Sequence, residues 1–406
     1  LKDTLGVILF QEQVMQIAME VGGFTAAQAD SLRRAMSRHR SREAMQAHWP
    51  QFWDGAAAKG VSEEQARTIF KKLLGFAAFG FPRGHAIAFA RLAYESAYLR
   101  DRYPVEYYCA LFNNQPMGFY APGVLVGDAR RHGITVLRPE INRSGAQCVV
   151  VNDTAMRLGL SSIRAISSTV AEAIVAQRAG EPFRSLFDFA RRTGLPRALV
   201  ENLIVVGAFD DLGMERRELL WQLGLFAGLW PAEQRPAARG KTRGTVGPLR
   251  QQPLPLPIDG NTVALQPMSE QARLVADHYL LGYSPSAHPL GLLRRRLGEG
   301  WHTSHHVEQM TQGAAVRLAG LVVCRQRPGT AHGVLFLLLE DEFGLTNVVV
   351  HPSLYARERL VLRREPFIAV RGTVQRRHPS VSVLAQAVAP LRVPHDLIAP
   401  ASHDFH

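Results

Sequence analysis

Residues 333–352 read GVLFLLLEDEFGLTNVVVHP, and the reading of this stretch decides what kind of domain closes the chain. Two apolar runs flank the acidic cluster Glu340-Asp341-Glu342 and Gly344. Runs of that length, parted by a glycine-containing turn, read as paired strands. Working outward, VRLAGLVVCRQRPG begins at Val316, PFIAVRGTVQRR at Pro366 and SVSVLAQAVAPL at Ser380. About five short strands with glycine turns predict a small Greek-key barrel of the oligonucleotide-binding (OB) type over residues 301–395, followed by a tail, 396–406. Such barrels hold single strands through apolar faces and basic rims. Arg325, Arg327, Arg371, Arg376 and Arg377 fall at the expected strand ends and turns and are candidate DNA contacts. Phe343 is a candidate for base stacking, whereas Phe336, inside the run VLFLLLE, reads as core. A purely structural barrel is the competing reading.

Upstream the pattern changes period. Residues 1–120 read as helical, with capping boxes at Thr25-Ala-Ala-Gln28 and Ser62-Glu-Glu-Gln65. The helix begun at Thr25 carries Arg33 and Arg34, about 100° apart around its axis. Arg38, Arg40 and Arg42 extend the basic stripe, and Lys71-Lys72 forms a second cluster. In FGFPRGHAIAFARLAYESAYLRDRYPVEYY, residues 79–108, the segment to His85 reads as a loop and the helix as starting at Ala86. Ala86, Ile87, Ala90, Ala93, Tyr94 and Ala97 share one face, Arg91 and Glu95 another, and Pro104 ends the run. Arg83 and His85 thus stand at a helix mouth, whose unpaired N–H groups suit an anion. Residues 121–145 predict a helix and a strand. The short helices STVAEAIVAQRAG, SLFDFARRTG and PRALVENLIVVGAFDDLG then suggest helix-hairpin-helix units, which bind phosphate through exposed N–H groups. A Pro-, Gly- and Arg-rich linker over 231–262 precedes helices at 268–281 and 288–297. The expected fold class is therefore multidomain α+β. A helical segment spans 1–120, a domain with tandem helix-hairpin-helix units 121–230, a linker with helices 231–300, and the barrel follows.

The bulk numbers agree with a globular chain and name a partner class. Lys plus Arg number 47 against 35 Asp plus Glu, a formal +12 that favours a polyanion, most simply nucleic acid. Three cysteines without metal-ligand spacing argue for a reducing, cytoplasmic setting. No apolar run approaches the roughly 18 residues of a membrane span. The opening LKDTLGVILFQEQVM has no initiator Met and no secretory pattern, so the chain reads as a segment of something longer. A hydrolase is excluded because neither a nucleophile elbow nor a metal motif is present.

Five stretches carry a family resemblance in order and spacing: GVILFQEQVMQIA, GGFTAAQADSLRRAM, FPRGHAIAFARLAYESAYLRDRYPVEYY, GLSSIRAISSTVAEAIVAQR and GAFDDLG. Together they resemble the C-terminal half of the bacterial DNA polymerase III α-subunit family, over residues 1 to about 395. DHYLLGYSPSAHPLGLLR, RQRPGTAHGVLFLLLEDEFGLTNVVV and an end soon after the barrel point to its error-prone, translesion branch. The resemblance implies that residues 1–120 are the fingers and that Arg33, Arg34, Arg83 and His85 hold the triphosphate of an incoming dNTP. Arg83 stands where replicative members usually carry Lys, and Gly84 where the family usually has Ser. It also implies that the Mg2+-binding palm carboxylates lie upstream of Leu1. The chain alone would then bind template-primer DNA and nucleotide without polymerising. In the first hairpin the family's glycines are replaced by RAISST, which leaves Arg164, Ser167 and Ser168 as the DNA contacts. A sliding clamp is expected as a partner, bound through QLGLF (Gln222, Leu225 and Phe226) or through an accessory polymerase-like protein. QQPLPLP, after the hairpin domain, is the degenerate alternative for that peptide. A non-enzymatic DNA-binding adaptor is the reading from a different class, and it would need no triphosphate affinity at Arg33, Arg34, Arg83 and His85.

Overall fold

The computed structural model describes residues 1–36, 41–76, 81–118, 121–225, 264–377, 380–393 and 403–405. The chain folds as two compact units, Leu1–Arg102 and Tyr103–His406.

The first unit is helical: α1 (Gln11–Glu20), α2 (Ala26–Met36), α3 (Ser41–Gln46), α4 (Trp49–Ala58), α5 (Glu63–Phe76) and α6 (Arg83–Arg102). Both capping boxes form. Gln28 N meets Thr25 Oγ1 at 3.4 Å and Gln65 N meets Ser62 Oγ at 3.3 Å, while each glutamine side chain returns to the cap backbone. Val14 and Ala18 of α1, Leu32 of α2, Phe52 of α4 and Phe70 and Leu73 of α5 bury the apolar stripes together. Gly55 lets α4 approach closely, since a Cβ there would sit 1.8 Å from the Gly22 carbonyl oxygen.

Helix α6 departs from expectation at its start. It begins at Arg83, not Ala86, because both carboxylate oxygens of Glu12 accept from Arg83 N at 2.9 Å. A cap supplied from α1, distant in sequence, draws Arg83, Gly84 and His85 into the first turn. None of the α6 side chains is buried; Ile87, Phe89, Leu92, Tyr94 and Tyr98 are all exposed. Arg91 and Glu95 form the expected pair at 2.7 Å.

The second unit opens with α7 (Pro104–Asn113), α8 (Pro122–Arg131) and the strands β1 (Thr135–Leu137), β2 (Val149–Asn152) and β3 (Ala155–Arg157). β3 lies between a parallel β1 and an antiparallel β2. Helices α9 (Ser168–Arg178), α10 (Leu186–Thr193), α11 (Arg197–Val206) and α12 (Arg216–Leu225) follow. Gly207, at φ +88°, turns the chain after α11 where a Cβ would lie 2.0 Å from Arg216 Nη2. α13 (Glu270–Leu280) docks back onto this module, and Leu280, Leu281 and Tyr283 join its core with Tyr108, Phe183, Phe189 and Phe209. A buried ion pair fixes the docking. Arg138 grips the fully buried Asp277 with both terminal nitrogens, at 2.5 and 2.7 Å.

After α14 (Pro289–Leu297) and α15 (Ser304–Gln309) comes the barrel: β4 (Ala315–Gln326), β5 (Leu335–Glu340), β6 (Leu345–Val350), α16 (Pro352–Arg357), α17 (Arg359–Arg364), β7 (Phe367–Arg377) and β8 (Ser380–Pro390). Five strands close in the order β4-β5-β6-β8-β7, with β6–β8 parallel and the other pairs antiparallel. β9 (His403–Phe405) adds a parallel edge on β4. Alternation fills the lumen with Leu335, Leu337 and Leu339 from β5 and Val348 and Val350 from β6. The same alternation turns Phe336 outward, 39% exposed, which corrects its reading as core.

Candidate nucleic-acid interface

The strongest basic feature of the barrel is set by register. Arg317 projects outward between the buried Val316 and Leu318, and antiparallel pairing places it directly opposite Arg371. Arg371 therefore lies within β7, not at a strand end or turn. The Arg317 guanidinium stacks over the Trp301 ring, 4.0 Å from its centroid. Trp301 is itself held by an Nε1–H bond to the Leu297 carbonyl at 2.8 Å. Beside it, His302 N donates to the Arg317 carbonyl at 2.8 Å, and Arg317 N donates to His302 Nδ1 at 3.2 Å. Among the described residues no carboxylate pairs with either guanidinium. Like charges directly opposite on a sheet repel, so this rigid aromatic-and-arginine patch is suited to an anion.

The other candidate arginines differ in what they already hold. Arg325 is half-buried and donates to the carbonyls of Leu362 at 2.8 Å and Glu365 at 2.7 Å, tying β4 to the chain around α17. Arg327 covers the Tyr355 ring at 4.5 Å. Arg376 donates to the Met310 carbonyl at 2.8 Å and to that of Glu308, while Arg377 is exposed. Phe343 lies in the turn and is 54% exposed.

In the first hairpin Ala165 adopts φ +68°, the left-handed conformation that glycine takes without steric cost. The turn is thus kept without its glycine. Ser167 caps α9, accepting from Val170 N at 3.3 Å, and Ser168 begins that helix. Arg164 lies over the exposed Tyr279 ring at 4.7 Å.

The candidate nucleotide residues of the first unit fall into two groups. Arg33 and Arg34 both turn back to Asp30, at 2.9 and 2.8 Å, despite leaving the helix axis in different directions. The Arg33 hydrogen bond is the main reason the Asp30 carboxyl lies below its usual range. Arg83 stands 3.7 Å from Asp3 with its backbone N–H on Glu12, and His85 packs between Phe81 and Phe89. Arg33, Arg34 and Arg83 each already have a protein carboxylate as partner. Arg38 and Arg40 lie outside the described residues.

Gln222 is buried against Met214, with 4.0 Å from Nε2 to Sδ, while Leu225 at the end of α12 is 50% exposed; Phe226, QQPLPLP and the 231–262 linker lie outside the described residues. The acidic clusters are largely engaged. Asp210 pairs with Arg216 at 2.6 Å, Glu342 with Arg294 at 2.7 Å, and Asp341 accepts from Ser304 N and Oγ at 2.7 and 2.6 Å. Among the described residues no group of three or more His, Cys, Asp or Glu could hold a metal ion. Nor is any described helix long and apolar enough to cross a membrane.

Trp301 and Arg317 escaped sequence reasoning. Alternation in VRLAG points Arg317 outward, but only the β4–β7 register pairs it with Arg371.

Residues 1–60 match the family of bacterial DNA polymerase III alpha subunit finger domains, residues 133–219 a helix-hairpin-helix motif family, and residues 316–391 an OB-fold nucleic acid binding domain family. An error-prone DNA polymerase of Anaeromyxobacter dehalogenans is 39% identical over 423 residues, covering 99% of this chain and 35% of the relative. One from Mycobacterium tuberculosis is 40% identical over 409 residues, covering 100% and 35%. The chain thus spans about a third of the length of these relatives. Among solved structures, asparaginyl-tRNA synthetase from Pyrococcus horikoshii aligns over 26% of this chain and 24% of its own, at 20% identity and a TM-score of 0.21. From the finger-domain match and the relatives that align along its whole length, the chain belongs to the bacterial DNA polymerase III α-subunit family, as a segment of its error-prone branch.

Proposed function

We propose that the chain is the DNA- and nucleotide-binding segment of an error-prone DNA polymerase that acts in damage-induced translesion synthesis. The observation that carries the DNA reading is the Arg317–Arg371 pair, opposed across β4 and β7 beside Trp301 with no carboxylate partner among the described residues. A single strand would lay phosphates on the two guanidinium groups and stack bases on exposed rings such as Phe336 and Phe343. The φ of Ala165 and the Ser167-capped N-terminal turn of α9 support a second, phosphate-only contact in the helix-hairpin-helix module.

For nucleotide, the reading rests on the family and on Arg33, Arg34, Arg83 and His85. A triphosphate would take over from Asp30 and Asp3 as the partner of the arginines, exchanging one anion for another. Phosphoryl transfer draws on metal ions for charge neutralisation, which carboxylates elsewhere in the whole protein would hold. The burial of Gln222 favours a sliding clamp reached through an accessory polymerase-like partner over direct capture by QLGLF. The DNA reading is tested by fluorescence anisotropy of the 406-residue chain with a labelled single-stranded oligonucleotide. Binding that weakens steeply with salt is expected, and no binding at low salt would withdraw the reading.

A further inference from the structure

Within the second unit a cavity of about 620 Å3 lies among α8, the segment from Leu281 to Pro289, β4 and the turn after β5. Tyr283, Val126, Leu321 and Phe343 contribute apolar walls. Its polar lining stands out from its surroundings. Whereas Asp341 and Glu342 next door are fully engaged, the Glu340 carboxylate, on a side chain only 7% exposed, makes no hydrogen bond among the described residues; His288 Nε2 stands 3.9 Å away. His288 Nδ1 accepts from Leu290 N at 3.1 Å, so the ring proton of the neutral imidazole sits on Nε2. That Nε2 and the Nε2 of His278 are buried without a hydrogen-bond partner. Arg130 also lines the cavity, half-buried, with no carboxylate paired to it among the described residues. Burial, helped by nearby Arg138, pushes its pKa down.

Buried polar groups are ordinarily bonded, and a cluster of exceptions asks for an explanation. Here two such exceptions, the Nε2 atoms of His278 and His288, meet Glu340 and Arg130 around one space of ligand size. They offer an acceptor and an N–H donor side by side, a cation, and apolar aromatic walls. We propose that the cavity takes one unpaired nucleotide, its phosphate on Arg130 and the donor–acceptor edge of its base between Glu340 and His288. A base supplies both edge groups on a flat apolar body, and its phosphate supplies the anion for Arg130. A peptide backbone also has donors and acceptors, but it brings no fixed anion. The proposal rests on the DNA reading above and extends it, for the cavity lies where the hairpin module and the barrel meet.

The test uses the 406-residue chain and two probes: 2-aminopurine deoxyribonucleoside monophosphate and a short single strand carrying one 2-aminopurine. Entry into the cavity should change the fluorescence of 2-aminopurine. Glu340→Gln, which keeps the side chain's shape, should weaken that response by about tenfold or more, as expected for a lost charged acceptor. Arg130→Gln should do the same. A response from the strand alone identifies DNA as the source of the nucleotide, and one from both probes admits free nucleotide as well; each supports the proposal. No response while the strand still binds by anisotropy overturns it and leaves the DNA reading standing, an outcome that covers a cavity occupied by a partner's peptide. A response unchanged in both variants overturns it too. Loss of all binding fails both readings together.

Discussion

Two arginine pairs, one in each unit, make an instructive contrast. On α2, Arg33 and Arg34 share one carboxylate, Asp30. On the barrel, Arg317 and Arg371 face one another across two strands with no carboxylate at all among the described residues. In the sequence both are simply arginines in a basic chain. The difference teaches that a cation's partner, not its presence, tells what it does. A paired arginine is held in place and can exchange one anion for another, whereas an opposed, unpaired pair costs stability that a bound polyanion would recover. Arg138 marks the far limit of pairing, with its charge wholly engaged inside the fold.

That contrast can be broken by substitution. Arg138→Ala should have the largest effect, since it strands Asp277 as a buried unpaired charge, at a cost of about 3–5 kcal/mol. Urea unfolding of the second unit would measure it; a change under about 1 kcal/mol would mean that the pair contributes no more than a surface contact. Next comes the α2 pair. In the full-length enzyme Arg34→Ala should raise KM for all four nucleotides and lower kcat/KM by about tenfold, the size of one lost charge-assisted contact. Steady-state kinetics unchanged in both Arg34→Ala and Arg83→Ala would remove these residues from the nucleotide site. Smallest is Ala165→Gly, which relieves the left-handed backbone of the first hairpin and should stabilise the module by about 0.5–1 kcal/mol, net of the added freedom of the unfolded chain. Thermal unfolding would read the gain, and a loss would mean that the alanine methyl packs usefully.

Much of the architecture was legible because it is periodic. The apolar runs in 333–352 and the glycine turns around them foretold the barrel, and the capping boxes at Thr25 and Ser62 marked two helix starts. What could not be read depended on partners distant in sequence. The start of α6 moved to Arg83 because Glu12, 71 residues away, caps it. Phe336 reads as core in an unbroken apolar run, yet a period of two sends every second residue out. The arginines at strand ends were visible as charges, but the engagement of Arg325 by two carbonyls and the pairing of Arg317 with Arg371 follow from register and closure. The silence of Glu340 amid engaged acidic neighbours is likewise a property of packing alone.

The most direct test of the barrel as a nucleic-acid interface is the salt dependence of single-strand binding for the 406-residue chain and for the Arg317→Gln/Arg371→Gln double variant. Each phosphate engaged contributes roughly 0.7 to the slope of log K against log salt concentration. The double variant should therefore lose about 1.4 from the slope and bind more weakly at low salt. An unchanged slope and affinity, with the fold intact, would contradict the account and move the interface off this face of the barrel.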